Sequence, residues 1–341
     1  MGVTINGRFL SHRVTGIERY AREVMARGSQ LATVAAPRNP VRGLRGHLWE
    51  QTILPARIGH DLLWSPRNTG PLAVAKQVVT IHDCAFRDQP EGFSRKFAAW
   101  YHWLVPKLAR RVRRIITDSK FSRDRLIEYC RIPRDKIVAI PLGVDQRFRP
   151  LTAEVIAQTR AHLGLPPRYV LHVGCQVPRK NSRRLLEAWK MVSREHPELC
   201  LVLVGAADPV FRDTGLGRLP PSVVLTGYVA DAYLPAVYGG AELFVFPSLY
   251  EGFGLPVLEA MACGTPVLTS NATSLPEVAG NAALLVDPRS VESLAEGLHR
   301  LLSDSALRDT LARRGLERAG SFTWDRTAEA TWQVLRETES E

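Results

Sequence analysis

Leu243-Phe-Val-Phe-Pro-Ser-Leu-Tyr-Glu-Gly-Phe-Gly-Leu-Pro-Val-Leu-Glu259 decides how the rest of this 341-residue chain reads. Four apolar residues make a buried strand, and the chain then turns through two glycines. Pro256 matches the fixed φ of a first helical turn, and Gly264 stands where a left-handed residue ends the helix. Strand, glycine turn and helix start make a phosphate-site geometry. Gly252 and Gly254 let backbone approach a ligand closely. The amides at Phe253–Leu255 face an anion, helped by the helix dipole. Glu259, read in the first helical turn, suits two ribose hydroxyls, and Glu251, ahead of the turn, suits sugar hydroxyls. Either carboxylate alone reads as an ordinary surface charge; the pair with its glycines and strand favours a ligand.

Working outward, short apolar runs alternate with helical segments on both sides. Strand candidates are Val3–Ile5, Leu31–Ala35, Leu62–Trp64, Val78–Ile81, Arg114–Thr117 and Lys136–Ile140, then Tyr169–Val173, Cys200–Val204, Val223–Leu225, Leu243–Phe246, Pro266–Thr269 and Ala283–Val286. Helix candidates are Gly16–Ala26, Ser94–Arg111, Phe121–Cys130, Ser182–His196, Leu255–Ala262 and Val291–Leu302. The alternation predicts parallel sheets covered on both faces. The fold class is therefore α/β: two doubly wound Rossmann-like domains facing across a cleft. Residues 1–148 are expected to form the first domain, 149–320 the second, and 321–341 a C-terminal helix returning to the first.

Composition agrees with a globular protein: 45% apolar and 23% charged residues. Five scattered cysteines without a Cys-x-x-Cys pair argue against a disulfide framework or a zinc site. No stretch approaches the roughly 20 apolar residues of a membrane span, and the start lacks a signal-peptide pattern. The expected location is cytoplasmic. The net charge of +11 is uneven: residues 1–150 hold 27 Lys+Arg against 12 Asp+Glu, or +15, leaving −4 for the remainder. Such a half seeks an acidic partner. Lys96–Arg114 mixes Trp100, Tyr101 and Trp103 with many cations, which suits a membrane interface and equally a core-facing stripe with a solvated end. Pro106 is expected to interrupt that helix.

The Glu251–Glu259 segment resembles the E-x7-E motif of glycosyltransferase family 4, which has the GT-B fold, and the resemblance runs over nearly the whole chain. It implies a retaining glycosyl transfer from a nucleotide-sugar donor, with no cofactor and no metal; no Asp-x-Asp stands near the expected site. Val173-Gly-Cys-Gln-Val-Pro-Arg-Lys-Asn181 resembles the family's Gly-x4-Arg-Lys-Asn stretch, which implies that Lys180 and Arg179 neutralise the donor diphosphate. Some relatives carry a basic residue after the glycine, where this chain has Cys175. Thr226–Asp231 resembles the loop bordering the nucleobase, implying Tyr228 and Val229. His82, in Thr80-Ile-His-Asp83, resembles the family's cleft histidine beside the donor sugar, with Asp83 a candidate to orient it. Thr15-Gly16 resembles the first-domain glycine loop over the phosphates. The resemblance implies His82, Glu251 and Lys180 as the catalytic set. Gly16, Arg179, Lys180, Tyr228, Val229, Glu251, Gly252, Phe253, Gly254, Leu255 and Glu259 are implied as the donor set.

The pattern resembles mannosyltransferases of O-antigen and exopolysaccharide assembly, so GDP-mannose leads, followed by a UDP-sugar. A saccharide or polyprenyl-diphosphate-linked acceptor, peripheral membrane contact through the basic first domain, and no nucleic acid complete the expectation. The alternatives are a sugar-nucleotide epimerase of the same fold and a non-catalytic nucleotide-sugar-binding subunit.

Overall fold

The computed structural model describes residues 2–12, 15–28, 30, 32–205 and 218–341. Leu31, in one strand candidate, lies outside them. The chain divides into two compact units. One comprises Met1–Asp88, Lys96–Gly143 and Phe322–Glu341; the other comprises Gln89–Arg95 and Val144–Ser321.

The first unit contains β1 (Val3–Asn6), α1 (Gly16–Ala26), β2 (Ala32–Ala35), α2 (Gly43–Thr52), β3 (Leu62–Ser65), β4 (Gln77–Thr80), α3 (Ala85–Asp88), α4 (Arg95–Arg111), β5 (Arg114–Thr117), α5 (Lys120–Cys130) and β6 (Ile137–Ala139). Its sheet runs β2-β1-β3-β4-β5-β6, with every pairing parallel. The second unit holds α6 (Ala153–His162), β7 (Tyr169–Val173), α7 (Ser182–Val192), β8 (Cys200–Val204), β9 (Val223–Gly227), α8 (Leu234–Gly239), β10 (Leu243–Phe246), α9 (Leu255–Ala262), β11 (Val267–Ser270), α10 (Leu275–Ala279), β12 (Leu284–Val286), α11 (Val291–Ser303) and α12 (Ser305–Gly320). Its sheet runs β12-β11-β10-β7-β8-β9, again parallel. The central strands are buried on both faces, as a sheet covered by helices requires. In each sheet the strand order reverses once, between β1 and β3 and between β7 and β10. Ligands of doubly wound sheets bind beyond the carboxyl ends of the strands at such a reversal.

The last helix, α13 (Trp324–Ser340), belongs to the first unit. Trp332 donates its indole N–H to the Val24 carbonyl at 3.0 Å, and Thr327 donates to the Pro141 carbonyl at 2.8 Å. Two glycines make room for it. A Cβ on Gly143 would lie 2.2 Å from the Trp324 backbone nitrogen, and one on Gly28 would lie 2.0 Å from the Trp332 ring.

Pro106 does not interrupt α4, which runs unbroken for 17 residues. Proline removes the N–H that would bond the carbonyl four residues earlier. That carbonyl, on His102, accepts instead from the Tyr129 hydroxyl at 3.3 Å. Tyr101 of the same helix is buried, whereas Trp103 is exposed, so the aromatic stripe is divided between core and surface. Among the described residues no helix is long and apolar enough to cross a membrane.

Gly143→Ala forces a Cβ against backbone rather than against a movable side-chain end. It is expected to destabilise the first unit by about 1–3 kcal/mol. The check is chemical denaturation followed by tryptophan emission; unchanged stability would mean that α13 does not need this close approach.

Candidate functional site

At the reversal in the second sheet, two loops meet. The loop after β7 passes through Gly174, at φ +85°, into a short turn, Pro178–Lys180. Asn181 closes that turn at φ +67°, a conformation asparagine tolerates better than most residues. Its side-chain amide donates to the carbonyls of Pro247 and Pro288, at 3.1 and 2.6 Å. The turn is thereby fastened to the loop after β10, and Arg179 and Lys180 are placed beside Glu251.

Glu251 is buried, and one of its oxygens, Oε1, takes three donors. Lys180 Nζ lies at 2.6 Å, Arg179 Nη1 at 2.8 Å and Ser248 Oγ at 2.6 Å. Among the described residues Oε2 has no hydrogen-bond partner. Arg179 also donates to the Tyr250 carbonyl at 2.9 Å, and the Lys180 ammonium sits over the Phe246 ring at 4.4 Å. Burial alone would raise the Glu251 carboxyl; the Arg179 and Lys180 charges and the two hydrogen bonds outweigh it and hold the group at about 2.

Helix α9 begins at Leu255, with Gly254 as its cap at φ +115°. A Cβ on Gly254 would meet the Leu275 side chain at 2.6 Å, so both conformation and space demand glycine. Ser274 Oγ donates to the carbonyls of Glu251 and Phe253, at 2.9 and 2.7 Å, and shapes the turn through Gly252. Because the cap is at Gly254, Glu259 is the fifth helical residue and not a first-turn charge, which corrects the sequence expectation. It stands one turn up α9 and accepts from the Tyr238 hydroxyl at 3.0 Å. Val229 is buried after β9, while Tyr228 is exposed. Cys175 is a buried free thiol, so the position after Gly174 brings no charge.

His82 follows β4 in the first unit and is buried. Its Nδ1 lies 2.8 Å from Asp118 Oδ2, its Nε2 3.1 Å from the Pro66 carbonyl, and its backbone N–H donates to Asn68 Oδ1 at 2.7 Å. Burial alone would lower this imidazole, but the Asp118 charge and hydrogen bond, with the Pro66 carbonyl, hold it above its ordinary value. Both ring nitrogens face acceptors at hydrogen-bond distance. Asp83 does not orient the ring; it accepts from the Ala85 N–H at 2.9 Å, as a turn residue. The orienting carboxylate is Asp118, directly after β5. Gly16 starts α1 and is exposed, and Tyr20, one turn on, meets the His82 ring edge-on with centroids 5.1 Å apart. Among the described residues the one group of potential metal ligands is Glu195, His196 and His299, which includes no site residue.

Two family descriptions match this chain: "Glycosyl transferases group 1" over residues 157–318 and "Glycosyltransferase Family 4" over residues 59–148. O-antigen chain mannosyltransferase B of Escherichia coli is 34% identical over 261 residues, covering 75% of this chain and 68% of that protein. The chain belongs to glycosyltransferase family 4. This glycosyltransferase is also 33% identical over 225 residues to the serotype-specific mannosyltransferase WbdA of Escherichia coli, of whose length it spans only 27%. Its fold matches Anabaena HepE, solved with UDP and glucose, with a TM-score of 0.78 at 19% identity over 98% of this chain and 99% of that one. Both units are the α/β sheets of the GT-B fold.

Two predictions follow from the buried charges. Glu251 is lower in the folded protein than in the unfolded chain, so its stabilisation is present above pH 4.5 and lost as pH falls toward 2. The glycosyltransferase should therefore lose melting temperature more steeply in that window than its Glu251→Gln variant, which at neutral pH melts lower than the wild type. Parallel curves would remove the ion cluster from the account. Asp118→Asn should lower the melting temperature more than Asp83→Asn, because it leaves a buried ring without its charge partner.

Proposed function

We propose that this glycosyltransferase moves mannose from GDP-mannose onto a saccharide acceptor carried on a polyprenyl diphosphate, with retention and without a metal. The observation that carries the reading is the Arg179–Lys180–Glu251 cluster at the sheet reversal. Two cations are assembled in advance where a donor diphosphate would lie, near the start of α9. The choice of mannose rests on the likeness to the Escherichia coli mannosyltransferases.

In this reading the diphosphate takes over Lys180 and Arg179, and Glu251 Oε2 accepts a hydroxyl of the sugar. Glu259 takes the ribose hydroxyls, and Val229 and Tyr228 border the base. The bond from the anomeric carbon to the diphosphate oxygen breaks as the acceptor oxygen bonds to that carbon from the same face. The acceptor proton passes to the departing phosphate oxygen. Charge accumulating on the leaving group meets the two cations and the α9 amides, fixed before the reaction and partly shielded from water. His82, with both ring nitrogens already bonded, is suited to holding the donor side in place and not to accepting the acceptor's proton. The work would be done at the inner membrane face, with the basic first unit toward the lipid.

The test is thermal stabilisation by GDP-, UDP-, dTDP- and ADP-sugars with and without a chelator, since a ligand that binds the folded state raises its melting point. GDP-mannose alone should raise it, chelator should not matter, and Glu259→Ala should abolish the shift. A shift with another nucleotide replaces the donor. No shift with any of them favours a partner-dependent binding subunit.

A further inference from the structure

The first unit carries an apolar patch that its own fold leaves uncovered. Leu44 and Leu48, one turn apart on α2, are 83% and 62% exposed, and Trp103 on α4 is 46% exposed. The two helices meet through side chains. Trp103 stacks on Trp100 with centroids 5.1 Å apart, and the Trp100 indole N–H donates to His47 of α2 at 3.1 Å. His47 lies between Leu44 and Leu48 in the helix. The outward row of α2 thus continues into the outward row of α4.

Cations border this patch. Lys107 lies over the Trp103 ring at 4.3 Å, and Arg45 and Lys96 are exposed on the same two helices. None of the three forms an ion pair among the described residues. The chain places no acidic residue between Glu23 and Glu50, nor between Glu91 and Asp118. Glu50, the single carboxylate on α2, is turned inward and bound to Arg8 at 2.7 Å. Exposed leucines and a tryptophan inside a ring of unneutralised cations complement a surface that is anionic at its face and apolar beneath.

The geometry points to α2 and α4 as the bilayer-docking face of this protein: Leu44, Leu48 and Trp103 enter the headgroup–acyl boundary while Arg45, Lys96 and Lys107 meet anionic phospholipid. This rests on the lipid-linked acceptor only for why the chain should work at a membrane. It names the elements and the insertion residues, which that reading does not. Binding of this kind needs apolar burial and charge together, and salt weakens the charge part.

The experiment is co-sedimentation of the full chain with vesicles of phosphatidylcholine alone and of phosphatidylcholine mixed with phosphatidylglycerol, at low and high salt. Wild type should bind the anionic mixture, less so at high salt. Leu44→Asp with Leu48→Asp should weaken that binding by roughly tenfold or more, with an unchanged melting temperature because both side chains are exposed. Trp103→Ala, with its aromatic anchor gone, should weaken it too. The inference is overturned if wild type stays in the supernatant with both vesicles, or if the aspartate pair binds as well as wild type. It is equally overturned if the pair abolishes self-association in size-exclusion chromatography and leaves vesicle binding intact, which would make the patch an interface between copies. Transfer to a water-soluble acceptor without vesicles is read in parallel. Transfer without vesicle binding sinks the docking face alone; vesicle binding without transfer from any donor sinks the proposed activity alone.

Discussion

One carboxylate oxygen organises the loops of the second unit at its sheet reversal. Glu251 Oε1 gathers Lys180, Arg179 and Ser248, and so ties the loop after β7 to the loop after β10. A backbone bond joins the same two loops, the Leu249 N–H donating to the Arg179 carbonyl at 2.8 Å. Buried ions are costly unless paired and hydrogen-bonded, so the three charges stand or fall together. Asn181 adds the neutral part of the fastening through two carbonyls. The result is a fixed place for two cations at Glu251, shortly before the Gly254 cap of α9.

The first unit solves a comparable problem with one cation to one carboxylate. Arg8 and Glu50 are buried together near the reversal between β1 and β3, with Asn6 donating to Glu50 at 2.8 Å. With Glu50 held inside, the exposed residues of α2 include no carboxylate. A core interaction thus sets the chemistry of a surface. The same unit keeps α13 in place through close approach at Gly28 and Gly143, where absence of a side chain matters more than any bond.

Much was legible from the chain alone because strand and turn signals are local. Buried strands are short apolar runs bounded by breakers, and all twelve strands fall on such runs, apart from Leu31 outside the described residues. Helix α9 was legible to the residue, since Pro256 and Gly264 punctuate it. Several helices were not. Helix α2 has two glycines and shows its leucines outward, so no inward apolar period announces it, and α6 and α12 were not among the expected helices. Pro106 misled for a different reason: its cost is met by Tyr129, a residue on another helix.

What the sequence determined by itself was the plan: two parallel sheets, a glycine turn into a short helix, and the residues Arg179, Lys180, Glu251 and Glu259 near it. These follow from periodicity and from the backbone freedom of particular residues, which neighbours in sequence express. What only the tertiary structure decided was partnership. That Asp118 and not Asp83 holds His82, that Glu251 rather than solvent holds the two cations, and that Leu44 and Leu48 face outward beside Trp103 depend on segments distant in the chain. Side-chain pairing is a matter of a few ångströms, and the packing of the sheets and helices sets those distances.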